Sequence, residues 1–420
     1  MMREVDLTIA SKAEDHLHNV ESILKRVKIV RHMREFVHYL PTRIVFGTGS
    51  LDKVGEVAKK YGDKAMLVTG RHFARRYGYI DRFVRLLDEV GVKTVVFDRV
   101  EPNPSYETVN LGVEVARKER IELVIAFGGG SAMDAGKAIS ALTVLGGKAE
   151  EHVYPKVIEE EVLPIIAMPT TCGTGSEVTK YAVLTDTRRK RKTVMVGEPL
   201  IPRVAIIDPT VLKHLPQRLV AWTAMDALSH AIEALWSRRS TPLSDLLALE
   251  AIRLIFENLA SAYKGNFDAL VRLHYASMLA GMAINSAGTT IVHAMGYFLT
   301  TYHDVHHGLA NALLLPFAID YNAEYIEEKM VRLAGELGIA AREVQEVKRA
   351  IILKLCNLQD QVNIPGNIKE VGVREEELNL MVEETLAYRR NLENNPREVK
   401  EGDVKELWRK ALKGRRALLP

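Results

Sequence analysis

The chain has 420 residues, 47% of them hydrophobic and 26% charged, with 57 basic against 54 acidic side chains, enough for two or three domains with cores of their own. A formal net charge of +3 is too small to draw the protein to a nucleic acid or an anionic membrane, and no apolar run approaches the ~18 to 20 residues that cross a bilayer. Two cysteines, Cys172 and Cys356, exclude a disulfide framework and a thiolate metal site. Acids mixed into the first residues do not read as a secretion signal, so a cytoplasmic location is expected. Scarce glutamine beside plentiful Lys, Arg and Glu leans toward a thermophilic source.

From about Ala13 to Met33, apolar positions at Leu17, Val20, Leu24, Val27 and Val30 recur at a helical period among charges, predicting an amphipathic N-terminal helix. After Pro41 short β-branched runs alternate with amphipathic stretches, the pattern of a parallel sheet with crossover helices. Strands are expected at Arg43 to Phe46, Ala65 to Thr69, Thr94 to Phe97, Leu123 to Phe127, Pro164 to Met168 and Val204 to Ile207. Helices are expected near Leu51 to Lys60, Ile80 to Val90, Tyr106 to Lys118 and Met133 to Leu142. Between Thr179 and Val196 a β excursion is interrupted by the basic run Thr187 to Lys192, which reads as a solvated hairpin. Beyond about Leu212 the β signal ends and helical patterns continue. The expected organisation is a helical extension over 1–36, an α/β dinucleotide-binding domain with a Rossmann-like parallel sheet over 37–212, and an all-helical domain over 213–420.

Two loops follow apolar strands, where open α/β sheets bind ligands. The first, Gly128-Gly129-Gly130-Ser131, opens a helix and suits a phosphate, because glycines admit close approach and the helix offers free N–H groups. It is neither a Walker A loop, since Ala138 follows Gly136-Lys137, nor the standard dinucleotide fingerprint, whose third glycine is missing. The second, Pro169 to Glu177, gathers hydroxyls and glycines suited to a diphosphate or ribose. Cys172 within it has no neighbouring base and reads as a space-filling thiol.

In the helical half, Asp226 and His230 stand four residues apart and share one helix face. His293 heads a later helix, and His303, His306 and His307 cluster further on. An acid and several imidazoles on separate helices of an apolar domain can close around a cation, and that ligand type suits Fe²⁺ or Zn²⁺.

These blocks together resemble the iron-containing (group III) alcohol dehydrogenases, from about Pro41 to the early 320s. The resemblance rests on GGGSAMDAGK at Gly128, PTTCGTGSEVT at Pro169, MDALSHAIEA at Met225, and the His293 and His307-Gly308 segments. It implies Asp226, His230, His293 and His307 as metal ligands, with His303 and His306 as bystanders or outer groups. It places Gly129, Gly130, Ser131, Asp134, Thr170, Thr171 and Thr174 along the coenzyme diphosphate and lets Lys192 reach the coenzyme. It implies hydride transfer between a metal-held primary alcohol or diol and a nicotinamide, a small-molecule alcohol or aldehyde as partner, and a homodimer or higher homo-oligomer.

The chain departs from the family pattern at two places. Many members carry an acid after the second strand, where it binds the adenosine ribose; Gly70-Arg71 stands here, making room for a 2′-phosphate and offering it a partner. NADP(H) is therefore expected over NAD(H). Tyr297 replaces a histidine of many relatives, four residues after His293, and is expected to line the site while a proton passes through water, the ribose hydroxyl or His303. Rival readings on the same fold are glycerol dehydrogenase, glycerol-1-phosphate dehydrogenase and hydroxyacid–oxoacid transhydrogenase; a rival from another class is a nucleotide-binding metal protein without redox chemistry.

Overall fold

Six short aliphatic runs form one parallel sheet in the order β1-β8-β5-β4-β2-β3. The computed structural model describes residues 35–341 and 343–419, so the helix expected over 13–33 lies outside the described residues. Leu40–Pro420 forms one compact unit. The strands are β1 Arg43–Phe46, β2 Lys64–Gly70, β3 Lys93–Val100, β4 Leu123–Gly128, β5 Ile165–Pro169, β6 Tyr181–Asp186, β7 Arg191–Val196 and β8 Val204–Ile207. Every residue of β4, β5 and β8 is buried, whereas β1 and β3 are partly exposed. That difference follows from position, since the central strands of a parallel sheet are covered on both faces and its edges are not.

The first five helices are α1 Val54–Ala58, α2 Phe73–Arg76, α3 Tyr79–Asp88, α4 Tyr106–Lys118 and α5 Gly130–Leu145. Helix α4 begins where Ser105 accepts a hydrogen bond from the Thr108 N–H at 3.2 Å, an N-cap that satisfies an otherwise orphaned donor. β6 and β7 leave the main sheet as an antiparallel hairpin, with Asp186 opposite Arg191, so the basic run forms its turn. Lys192 is the exception to the solvated reading, being buried within β7.

The order of the sheet locates a ligand crevice. β2 is followed by β3 on one side, while β4, its other neighbour, is followed by β5 on the opposite side. The two connections diverge from the carboxyl ends of adjacent strands, and such switch points are where open α/β sheets take their ligands. Gly70 and Gly128 end those two strands.

After β8 the described chain carries no further strand. It continues as α6 Gln217–Trp236, α7 Pro242–Tyr263, α8 Phe267–Ala287, α9 Ile291–Tyr302, α10 His307–Asn322, α11 Glu327–Glu336, α12 Val344–Gln361, α13 Leu378–Ala387, α14 Arg389–Glu393 and α15 Glu401–Lys413. Helix α6 is buried almost all round, which identifies it as the centre of a helical layer rather than a surface helix. It packs against α7, α8 and α10. None of the described helices is long and apolar enough to cross a membrane.

Candidate metal centre

Asp226 and His230 come from α6, His293 from α9 and His307 from the first turn of α10. Ligand atoms of Asp226, His293 and His307 all lie within 4.8 Å of one another. Their approach depends on glycine: a Cβ on Gly308 would strike the Trp222 carbonyl and Asp226, so α10 reaches α6 only because residue 308 has no side chain. His230 does not join that group of three. Its ring stacks on His293 with centroids 4.7 Å apart and 19° between planes, and its Nδ1 lies 3.3 Å from the Gly173 carbonyl. Donation from Nδ1 to that carbonyl leaves the lone pair on Nε2 and joins the cluster to the second glycine-rich loop.

The protonation states of Asp226, His230 and His307 suit a cation. Burial works against the Asp226 carboxylate, yet the three histidines and the Asn311 amide hold its pKa down at about 2. Burial pushes His307 down to about 3, against the pull of Asp226, and also lowers His230. His293 differs: burial lowers it, but the Glu233 carboxylate outweighs that and raises it.

Glu233 is the first residue that the sequence reading missed. It is fully buried and accepts from Thr290 N at 3.1 Å, Thr290 Oγ1 at 2.6 Å and Val292 N at 2.8 Å, as well as from His293 Nδ1. With Nδ1–H donated to Glu233, His293 presents its Nε2 lone pair to the cluster, as in a carboxylate–histidine–metal relay. Glu233 lies three residues beyond His230 on one helix, so its spacing was a signal.

Asn311 is the second. Its Nδ2 lies 2.8 Å from Asp226 Oδ1, 3.1 Å from His293 Nε2 and 3.2 Å from His307 Nε2. An amide has two protons, so it cannot satisfy three acceptors. A cation accepts electron density from all of them, and this surplus of buried acceptors is the observation that makes the residues fit a divalent metal.

Tyr297 is buried, its ring 5.7 Å from that of His307 at 11° and 4.6 Å from that of Tyr388; burial raises its hydroxyl far above the ordinary value. His303 is 3.1 Å from Glu377, and His306 accepts from the Gly308 N–H at 3.2 Å, so both serve structure outside the cluster. Burial raises the Cys172 thiol to about 11, in keeping with a space-filling role.

The two loops meet at the ends of β4 and β5, where Gly128 pairs with Pro169. Gly129 abuts Thr171 and Gly130 abuts Thr174, Thr170 donates its N–H to Gly128 at 3.0 Å, and Ser131 accepts from Asn103 N at 3.1 Å. Asp134 turns inward, accepting from Ser176 Oγ at 2.6 Å and Val183 N at 3.0 Å, which ties the two loops together. Lys137 is also internal, donating to Thr179 O at 2.8 Å and Tyr181 O at 2.9 Å. Lys192 donates to Asn103 Oδ1 at 2.7 Å and Thr185 Oγ1 at 2.9 Å; burial lowers it to about 7 against the pull of Asp134. Arg71 stands across the switch crevice, its side chain 56% exposed, bonded to Arg99 O at 3.1 Å and 3.6 Å from Glu101.

Comparison with known proteins gives the same grouping. Residues 41–209 match the family profile described as iron-containing alcohol dehydrogenase, and residues 220–412 match its C-terminal counterpart. The chain is 38% identical to the 1,3-propanediol dehydrogenase of Citrobacter freundii, over 90% of this chain and 99% of that protein. It is 33% identical to the NADPH-dependent butanol dehydrogenase of Clostridium saccharobutylicum, over 88% and 96%. A crystal structure of 1,3-propanediol oxidoreductase superposes with a TM-score of 0.86 at 36% identity, covering 90% of this chain and all of that one. The matches include both NADPH-dependent and NAD-dependent enzymes.

Proposed function

We propose, because this chain belongs to the iron-containing alcohol dehydrogenase family, that it interconverts primary alcohols or diols and their aldehydes with NADP(H) as the hydride carrier. The observation that carries the reading is the convergence of Asp226, His293 and His307 within 4.8 Å, with His230 joining that cluster to the loop at Gly173. In this reading Asp226, His230, His293 and His307 hold the ion, Fe²⁺ or Zn²⁺. A divalent ion there supplies Lewis acidity toward an alcohol or carbonyl oxygen.

The chain supplies positioning. Gly129, Gly130 and Ser131 at the start of α5 receive the coenzyme diphosphate on backbone N–H groups, with Thr170, Thr171 and Thr174 closing over it. Asp134, turned inward, keeps those loops in register. Lys192 and Tyr297 line one cleft and flank the reacting carbon; Tyr297 excludes water and keeps its proton. The NADP(H) preference rests on Gly70, which leaves space at the end of β2, and on Arg71, whose loose contact with Glu101 leaves N–H groups for a 2′-phosphate.

The test is metal analysis of the purified protein coupled to aldehyde reduction with each coenzyme. We expect one divalent metal per chain, a higher kcat/KM with NADPH than with NADH, and loss of metal and turnover together in Asp226→Ala and His293→Ala while NADPH still binds. A variant active without metal would refute the roles assigned, and a strong NADH preference would overturn the coenzyme assignment.

A further inference from the structure

The cleft lined by Lys192 and Tyr297 has a volume of about 1070 Å³ and extends past Tyr388 to Arg390. Its cations differ in what they already hold. Arg191 forks onto Glu384 at 3.0 and 2.8 Å, Lys192 holds Asn103 and Thr185, and Arg189 sits 3.9 Å from Asp186. Lys148, Arg188 and Arg389 also line the cleft and, among the described residues, form no ion pair, but all three are exposed; Arg390 likewise has no carboxylate within ion-pair distance among the described residues, and of these four it alone is half-buried. Its guanidinium rests on aromatic faces, 5.0 Å from the Tyr181 ring centroid and 5.6 Å from that of Tyr154. A cation–π contact of this kind holds a guanidinium without consuming its N–H groups, which remain available to receive a carboxylate bidentately.

The acids of the cleft stand elsewhere. Asp186 accepts from the N–H groups of Arg188 and Arg189, both at 3.0 Å, Glu107 faces Thr187 at 3.3 Å, and Glu150 faces Asn110 at 3.3 Å. All belong to the hairpin, to α4 or to the turn that follows α5, whereas Arg390 follows Tyr388, whose ring touches Tyr297 at 4.6 Å. The charge of Arg390 is felt at the Tyr297 hydroxyl. One end of the cleft therefore opens on the ring stacked against His307, and the other ends on a half-buried cation that no carboxylate among the described residues pairs.

We propose that Arg390 is a specificity-determining residue for a substrate with two ends: an aldehyde or alcohol carbon at the metal cluster and a terminal anion (carboxylate, sulfonate or phosphate) on the Arg390 fork. This rests on the dehydrogenase reading above and narrows its substrate class from neutral alcohols to short ω-hydroxy or ω-oxo acids. The hydride transfer is unchanged; the anion contributes binding and orientation only.

The experiment uses the metal-loaded full chain and compares kcat/KM for butanal, 4-oxobutanoate and the matching sulfonate and phosphate aldehydes. Wild type should favour at least one anionic aldehyde over butanal by tenfold or more. Arg390→Gln should lower the anion-to-butanal ratio of kcat/KM at least tenfold, through KM rather than kcat, and Arg390→Lys should keep it within a few-fold of wild type. Succinate binding to wild type and Arg390→Gln, measured by calorimetry without turnover, should show the same loss. Reduction of butanal with no gain for any anion overturns the proposal and leaves the dehydrogenase reading standing. Equal losses for butanal and anions, or a loss confined to the KM for NADPH, also overturn it, the latter by assigning Arg390 to the coenzyme. Absence of any aldehyde reduction by metal-loaded protein, with no succinate binding, overturns both.

Discussion

Glu233 shows how one residue can set a site it does not enter. Its carboxylate accepts from two N–H groups near the start of α9 and from His293 Nδ1, so it anchors the helix that carries a candidate ligand and selects the tautomer of that ligand at once. We expect Glu233→Gln to weaken metal affinity about 10- to 100-fold, measured by competition with a chelator, while NADPH binding is little changed. Unchanged metal affinity would reduce Glu233 to a helix anchor. The sequence made Asp226 and His230 visible because an i, i+4 spacing is a local geometric statement. Glu233 stands three residues after His230 and Asn311 four after His307, the same local signal, but helical spacing alone does not say which polar residue on a face belongs to a site. Their other partners, His293 for Glu233 and Asp226 for Asn311, lie 60 and 85 positions away, and only the packing of α6, α9 and α10 brings them together.

At the scale of elements, the C-terminal helices hold α10, and with it His307, by charge. Asp320 on α10 accepts from Lys410 on α15 at 2.8 Å and lies 3.0 Å from Lys348 on α12. Burial would raise the Asp320 pKa, but the two lysines outweigh it and hold the pKa below the ordinary carboxylate value. A depressed native pKa gives stability that is complete above the unfolded value, about 3.9, and is lost as pH falls through the native value. Asp320→Asn should thus cost about 1.5 to 3 kcal/mol near neutral pH, and the gap in Tm to wild type should close as the pH drops below about 4. A gap that persists in acid would mean packing, not charge, holds these helices. The elements themselves were largely legible: Tyr106–Lys118 is a helix at the expected bounds, and the strands fall within three residues of their expected ends. Local alternation and apolar runs specify those. The clamp at Asp320 was illegible, because nothing in a helical period says which charged residue of one exposed face will meet another.

For the whole molecule, the candidate metal centre is also a joint. Asp226 and His230, His293 and His307 come from three helices that share no local hydrogen-bond ladder, and the surplus of acceptors around the Asn311 amide leaves the joint electrostatically incomplete on its own. An ion that binds the folded arrangement and not the unfolded chain stabilises by mass action, about 2.7 kcal/mol at a hundredfold excess over its Kd. Removing the ion with a chelator should therefore lower Tm, and adding Zn²⁺, or Fe²⁺ without oxygen, should restore it. Asp226→Ala should melt at one temperature whether or not metal is present, which separates loss of the ion from loss of the side chain. The coenzyme offers an independent control, because its expected contacts are with the sheet and its loops: NADPH should raise Tm in the metal-free protein and in Asp226→Ala alike. Were chelation to leave Tm unchanged in wild type while turnover vanished, the ion would be a visitor to a joint already closed by the Asn311 amide, and the three helices would owe their arrangement to the apolar packing around α6 alone.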